Sequence, residues 1–180
     1  MNATPDDILS FWTQAGPKRW YAKDEAFDAA IRDRFEADHH RAARGEFDGW
    51  AETAEGALAL LILLDQFPRN LYRGSAHAFA TDPKARAVAR AAAANGWHLA
   101  VAPQMRQFML LPFEHSEDLA DQDRGLALSG EVADPEVTKW IVIHRDIIVR
   151  FGRFPHRNAA LGRTTTPAEQ AFLDEGGFGG

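Results

Sequence analysis

Residues 57–70 read ALALLILLDQFPRN and contain the longest uninterrupted apolar run of the chain, Ala57 to Leu64. A membrane-spanning helix needs about 20 such residues in succession, so this run predicts a helix buried at the centre of a folded domain. An acid, an aromatic residue, a proline, an arginine and an asparagine follow the run. Because the residue before a proline disfavours the α-helical conformation, we expect this helix to end at Phe67.

The same ending occurs again in residues 140–158, which read WIVIHRDIIVRFGRFPHRN. Here too a largely apolar segment leads to an aromatic residue, a proline, an arginine and an asparagine, and we expect Phe154 to lie at a helix end. Each copy has an arginine and a glycine close by, at Arg73-Gly74 and Gly162-Arg163. The two copies therefore predict two similar corners at helix ends.

Helix start signals recur along the chain. Thr4-Pro5 and Thr166-Pro167 are each followed by an acid at the third helical position, which is the capping-box pattern, and Asp82-Pro83 and Asp134-Pro135 place an acid before a proline in the same way. With glycine and asparagine as stop signals, we predict helices at residues 5–15, 24–44, 52–66, 83–95, 103–111, 116–128, 135–151 and 167–175. No alternating pattern typical of strands interrupts them.

The fold class that follows is all-α. We predict a single domain of about eight antiparallel helices over residues 1–175, and a flexible Gly-rich tail at residues 176–180. A length of 180 residues with 46% hydrophobic and 26% charged residues is typical of one globular domain.

Composition also narrows the functional classes. The chain has no cysteine, so it has no disulfide and no thiolate nucleophile or metal ligand. The N-terminus has neither the basic nor the apolar region of a secretory signal, which favours the cytoplasm and no membrane. A net charge of −6 counts against nucleic-acid binding, although residues 145–163 hold five arginines and one acid.

Two ionisable residues fall on apolar helix stripes. Asp65 shares a face with Leu58 and Leu61, and His144 shares a face with Trp140 and other apolar residues of the later helix. A buried carboxylate or imidazole needs a partner, because unpaired burial is costly. Two interpretations remain open: a polar network that fixes the helix ends, or a pocket that Asp65 and His144 line.

The two corners supply candidate ligand-binding residues. Arginine recognises carboxylate or phosphate with its planar fork, and loop residues are free to face a ligand. A small anionic ligand would be bound and oriented by the polar residues of both copies, namely Arg69, Asn70, Arg73, Arg153, His156, Arg157 and Asn158, with Arg163 nearby. In the alternative interpretation these arginines bond helix carbonyls and neighbouring acids.

A third block, Phe113 to Asp118, adds His115 and Glu117. An enzyme that hydrolyses or transfers a phosphate or acyl ester would use His144 or His115 as general base and Asp65 or Glu117 to orient it. The histidine spacing does not match a metal motif, so we predict no metal site and no cofactor. A protein–protein interaction module is a further alternative, and it requires a large exposed groove.

The three blocks in this order resemble a known bacterial family. They are residues 63–74, residues 112–117 and residues 151–163, and the resemblance extends from the opening at residues 8–12 to the close at residues 166–173. The family is the one catalogued as domain of unknown function 924. The resemblance implies a tetratricopeptide-like arrangement of helix hairpins and a set of motif positions, without a mechanism.

Overall fold

The apolar run forms a helix at the centre of the molecule. In the computed structural model, which describes residues 3–179, helix α4 spans Ala54–Leu61 and its last six residues are buried. Thr53 caps the helix by accepting a hydrogen bond from the Gly56 N–H. Helices α1, α6 and α8 pack around α4, so the most apolar segment of the chain becomes the axis of the core.

All-α architecture is confirmed, as a single domain, and the described residues contain no strand. The α-helices are α1 Pro5–Ala15, α2 Pro17–Trp20, α3 Glu25–Ala43, α4 Ala54–Leu61, α5 Phe67–Leu71, α6 Asp82–Ala94, α7 Trp97–Ala100, α8 Gln107–Glu114, α9 Leu119–Val132, α10 Pro135–Phe151 and α11 Pro167–Asp174. Short 3-10 turns cover Asp48–Glu52, Ala76–Phe79, Pro103–Met105 and Pro155–Arg157. The predicted domain starts at residue 1 and the predicted tail ends at residue 180; residues 1, 2 and 180 lie outside the described residues.

The two corner motifs fold differently, and the prediction that Phe67 ends its helix is wrong. A π-helical turn at Ile62–Gln66 follows α4, and α5 continues the helical path through Phe67 and Pro68. Pro68 has no N–H, so the backbone carbonyls one turn before it lose a hydrogen-bond donor. The wider turn tolerates the proline because side chains from other parts of the chain bond these carbonyls. His39 Nδ1 lies 2.8 Å from the Leu63 oxygen, and Thr81 Oγ1 donates to the Leu64 oxygen at 2.5 Å.

The second motif forms the expected corner. Helix α10 ends at Phe151, and Gly152 adopts a left-handed conformation with φ of 68°. Phe154 is extended and Pro155 begins a 3-10 turn. Gly152, three residues before the proline, therefore ends this helix, and the proline starts the turn that follows.

Most predicted helix starts are confirmed. Thr4 and Thr166 both form complete capping boxes, and Asp134 caps α10. Asp82 is an exception: Thr81 takes the N-cap position, and Asp82 is the first residue of α6. The predicted helix at residues 116–128 begins instead at Leu119, because Asp118 is its cap.

The buried apolar residues form two clusters. The larger one joins α1, α3, α4, α6 and α8, and the smaller one contains Ile147, Ile148 and Phe154, with Phe172 and Phe178 packed against it. Among residues 3–179, no helix is long and apolar enough to cross a bilayer. The tetratricopeptide-like arrangement of hairpins stays a prediction.

Candidate functional site

Asp65 and His115 form a hydrogen-bonded pair inside the protein. The π turn carries Asp65, which is 1% exposed, towards the end of α8, where His115 follows Glu114. His115 Nδ1 lies 2.8 Å from Asp65 Oδ1 and 3.0 Å from Oδ2. This contact places the proton of a neutral imidazole on Nδ1, so that Nε2 carries the lone pair.

Opposing effects set the pKa values of this pair. Burial raises the pKa of Asp65, but the attraction of Arg69 and His115 outweighs burial and leaves the pKa at about 2. Burial and the charge of Arg69 lower the pKa of His115 below its ordinary value of 6.5. At neutral pH the pair is therefore a carboxylate bonded to a neutral imidazole.

A second carboxyl–histidine pair lies beside the first. His144 Nδ1 lies 3.0 Å from Glu114 Oε1 and 2.8 Å from the Trp140 carbonyl oxygen. The ring centroids of His115 and His144 are 6.4 Å apart. Burial lowers the pKa of His144 to about 3, and burial together with the nearby charge of Asp65 raises the pKa of Glu114 to about 8. Both members of this pair are therefore uncharged at neutral pH.

Two arginines lie against these pairs. Arg69 binds both oxygens of Asp82 at 3.0 and 3.1 Å and approaches Asp65 Oδ1 at 3.2 Å. Arg157, which is 6% exposed, donates from Nη1 to the His115 carbonyl oxygen at 3.0 Å and lies 3.7 Å from Asp82. The carboxylate of Asp82 therefore lies close to the guanidinium groups of both Arg69 and Arg157.

Aromatic rings fix the orientation of Arg157. Its guanidinium carbon lies 4.4 Å from the ring centroid of Phe154 and 4.6 Å from that of Phe79. His156 also packs on Phe154, with 5.6 Å between ring centroids. Burial and the neighbouring Arg157 lower the pKa of His156 to about 3.

We call this set of residues the central cluster. Its members are Asp65, Arg69, Asp82, Glu114, His115, His144, His156 and Arg157. Of the predicted site residues, the structure thus brings together Asp65, Arg69, His115, His144, His156 and Arg157. Most of its side chains are buried, and the His115 side chain is 14% exposed.

The remaining predicted residues lie in separate networks. Arg73 binds Asp28 through Nε and Nη2 at 2.6 and 3.0 Å, and Asn70 donates to the same carboxylate at 2.7 Å. Because Asp28 satisfies both side chains, the first motif holds α3 to α5. Arg73 and Asn70 therefore do not reach the central cluster.

In the second motif, a different carboxylate plays the same part. Arg153 binds Glu169 through Nε and Nη2 at 2.6 and 2.9 Å, and Asn158 Nδ2 approaches Glu169 at 3.3 Å. Glu117 accepts hydrogen bonds from Arg163 and from the Phe154 N–H. Glu117 therefore holds the second corner in place, and the structure pairs His115 with Asp65 rather than with Glu117.

Polar atoms in three consecutive residues of the second motif are buried without a hydrogen bond to a described residue. These atoms are His156 Nδ1, Arg157 Nε and Asn158 Oδ1. In the first motif, residues 67–70, no side-chain polar atom is buried without a hydrogen bond. Buried polar groups are nearly always bonded, so the second motif differs from the first in having unused hydrogen-bonding capacity.

Two members of the central cluster, Asp82 and Glu114, and the neighbouring Phe79 were not predicted from the sequence. Asp82 looked like a helix cap, although its carboxylate binds Arg69. Glu114 lies next to His115 in sequence, and this adjacency was the available signal. Phe79 shares no pattern with the motifs and meets Arg157 only through the fold. Within residues 3–179, no group of three or more His, Asp or Glu side chains is placed to hold a metal ion.

Comparison with known proteins agrees with these motifs. The family described as "Bacterial protein of unknown function (DUF924)" matches residues 8–177. A solved structure, "Structure of Protein of Unknown Function ATU0120 from Agrobacterium tumefaciens", is 50% identical, with a TM-score of 0.91 over 95% of this chain and 97% of that one. Among curated proteins, none matches this chain. With a match over nearly its whole length, the chain belongs to the bacterial DUF924 family.

Proposed function

We propose that this protein binds a small anionic ligand at the central cluster through Arg157. The observation that carries the proposal is the edge of the guanidinium formed by Nε and Nη2. In Arg73 and Arg153 this edge binds a carboxylate bidentately. In Arg157 the same edge makes no hydrogen bond to a described residue, and Nε is fully buried. A carboxylate or phosphate group has the geometry that this edge binds.

The charges around Arg157 support the same function. Burial and the repulsion of Arg69 lower the pKa of Arg157 to about 10, so the cation is less well compensated than an ordinary arginine. His144 and His156 are neutral at neutral pH and add no charge of their own. A bound anion would offset the buried positive charge.

Affinity for simple anions tests this proposal. Inorganic phosphate and acetate serve as probes in calorimetric titrations of the wild type, Arg157→Lys and Arg73→Lys. Lysine keeps the charge but lacks the fork, so we expect Arg157→Lys to weaken phosphate binding by about tenfold or more. Arg73→Lys is the matched control, because the carboxylate of Asp28 already binds that edge. Equal affinities for all three proteins, each shown to be folded by circular dichroism, would contradict the proposal.

The Asp65–His115 pair favours a second candidate function, hydrolysis or transfer on a phosphate or acyl ester. A carboxylate that fixes the imidazole tautomer and leaves Nε2 as the basic atom is the arrangement of a general base. Nε2 would accept a proton from water as the water oxygen attacks the ester, and the alcohol would leave. Arg157 would stabilise the negative charge that develops.

Turnover of nitrophenyl phosphate and nitrophenyl acetate tests the second candidate. We expect Asp65→Asn and His115→Gln to lower the rate by about 10²–10⁴-fold, while His77→Gln, at an exposed histidine, leaves it unchanged. The rate should rise as the pH rises through the lowered pKa of His115 and stay constant near neutral pH. Phosphate binding without turnover of either ester would retain the first function and contradict the second.

A further inference from the structure

The C-terminal residues lie over the histidines of the central cluster. The Phe178 ring centroid is 4.4 Å from that of His144 and 5.3 Å from that of His156. Trp140 lies on another side of the same ring, at 6.3 Å. Phe178 therefore contacts two members of the central cluster at once, although it is far from both in sequence.

Two glycines direct the chain to this position. Gly176 has φ of 80°, and the N–H groups of Gly176 and Gly177 bond the carbonyls of Leu173 and Phe172, which is a Schellman ending of α11. A Cβ atom at Gly177 would lie 2.5 Å from the Phe172 side chain. The turn therefore requires glycine, and it aims Phe178 at the cluster.

Phe178 also forms one wall of a surface cavity. The cavity has a volume of about 270 Å³, and its apolar lining consists of Ile143, Ile147, Phe151, Phe172 and Phe178. His144 is one turn from Ile147 on α10, and Phe178 contacts His144 and also lines the cavity. Phe178 is thus shared by the apolar cavity and the central cluster.

We infer that Phe178 occupies the subsite for an apolar, ring-sized group of the ligand, and that this group displaces Phe178 when the ligand binds. The inference rests on the proposed anion-binding function and adds a ligand class, an anion that carries an aromatic ring. The ring contacts of Phe178 show that the surface formed by His144, His156 and Trp140 accepts an aromatic group. The segment that must move follows α11 and lies outside the helices, and segments of this kind open at low cost.

Chemical labelling tests whether Phe178 covers the histidines. Diethyl pyrocarbonate acylates neutral imidazole nitrogens, and mass spectrometry locates the products. We expect Phe178→Ala to raise the labelling rate of His144 and His156 by about tenfold or more, while the exposed His40 and His77 react as before. Val149→Ala, which shortens an exposed apolar residue of α10, is the matched control. Unchanged labelling of His144 in a folded Phe178→Ala protein would overturn the inference.

Two ligands separate the subsite from the anion site. Phe178→Ala removes the ring that competes for the subsite. We expect this variant to bind phenyl phosphate about tenfold more tightly than the wild type, and its affinity for inorganic phosphate to change by less than about twofold. Equal changes for both ligands would overturn the aromatic subsite while leaving Arg157 as the anion site. If neither ligand binds either protein although labelling of His144 rises, the anion-binding function fails, and the inferred ligand class fails with it.

Discussion

Within the central cluster, the two carboxyl groups that contact a histidine differ in protonation because their neighbours differ. Asp65 has the positive charge of Arg69 beside it and stays ionised, with a pKa of about 2. Glu114 is also buried, and the nearby negative charge of Asp65 adds to the effect of burial, so that the pKa of Glu114 rises to about 8. Environments that push two carboxyl pKa values apart are characteristic of acid–base sites.

Glu114→Gln should change the pH dependence of stability. Below pH 4.5 the carboxyl is protonated in both states, and between pH 4.5 and about 8 only the unfolded state ionises. The free energy of unfolding of the wild type should therefore fall relative to that of Glu114→Gln by about 1.4 kcal/mol per pH unit in this range. Urea unfolding at pH 5, 6, 7 and 8 measures the difference.

Glu117→Gln is the control for this measurement. Burial raises the pKa of Glu117, but the hydrogen bonds from Arg163 and the Phe154 N–H outweigh it, so the pKa is lowered. Its contribution to stability is present above the unfolded pKa of 4.5 and is lost as the pH falls through the lower folded value. The difference between wild type and Glu117→Gln should stay constant from pH 5 to 8. A constant difference for Glu114→Gln as well would show that Glu114 is ionised in the native protein.

At the residue scale, the sequence predicted that Asp65 and His144 lie on apolar helix faces, and both are buried, but it left their partners open. Asp65 and His144 were identified because a charged or polar residue on an apolar helix face needs a partner. Their partners are His115 and Glu114, at the end of α8, and they meet Asp65 and His144 only through packing. Helical periodicity reports the face of a residue, and it holds no information about which helix covers that face.

Among the elements, the π turn at Ile62–Gln66 was not predicted from the sequence, and neither were the short helices α2, α5 and α7. Proline statistics predict a helix end at Phe67, yet His39 and Thr81 bond the carbonyls that the proline leaves open. Both side chains come from other parts of the chain, so local pattern could not reveal them. The capping boxes at Thr4 and Thr166 were predicted correctly because every atom of a capping box lies within four residues.

Thr81→Val should destabilise the protein through the π turn. Valine has nearly the same shape but cannot donate to the Leu64 oxygen, and leaving this buried carbonyl unbonded costs about 1–3 kcal/mol. Thermal and urea unfolding measure the loss. Because the Thr81 side chain does not cap α6, amide exchange at the start of α6 should be unchanged. Faster exchange confined to the start of α6 would show that the effect arises from capping.

For the whole molecule, fold class and helix order were predictable because eight periodic segments follow one another without a strand. The division of the buried apolar residues into two clusters was not predictable, since it depends on where α10 and α11 pack. The smaller cluster has few buried residues, and the ion pair of Glu117 with Arg163 is among the contacts that join the second corner to the rest. The C-terminal region, residues 152–179, is therefore expected to open before the main core.

Glu169→Gln should make that opening more frequent. Glu169 accepts both hydrogen bonds from Arg153 and one from the Thr166 N–H, so it joins the corner to α11. Neutralising it weakens charge-assisted bonds, and we expect exchange of α11 amides to become about tenfold faster in low urea. Amides of α4 should exchange at the wild-type rate. Equal acceleration in α4 and α11 would mean that the domain opens as one unit.

The π turn also bears on how such a site can originate. A π turn closes its hydrogen bonds one residue later than an α turn, so Ile62–Gln66 is equivalent to a regular helix with one residue inserted. Each residue of an α-helix rotates the chain by about 100°, and a π turn absorbs an inserted residue locally, so that the helical segments on both sides keep their packing faces. In evolutionary terms, the segment that carries Asp65 is one in which the chain can gain or lose a residue while α4 keeps its place in the core. Deleting one residue from Ile62–Gln66 should restore regular α-helical geometry and change the direction of the Asp65 side chain.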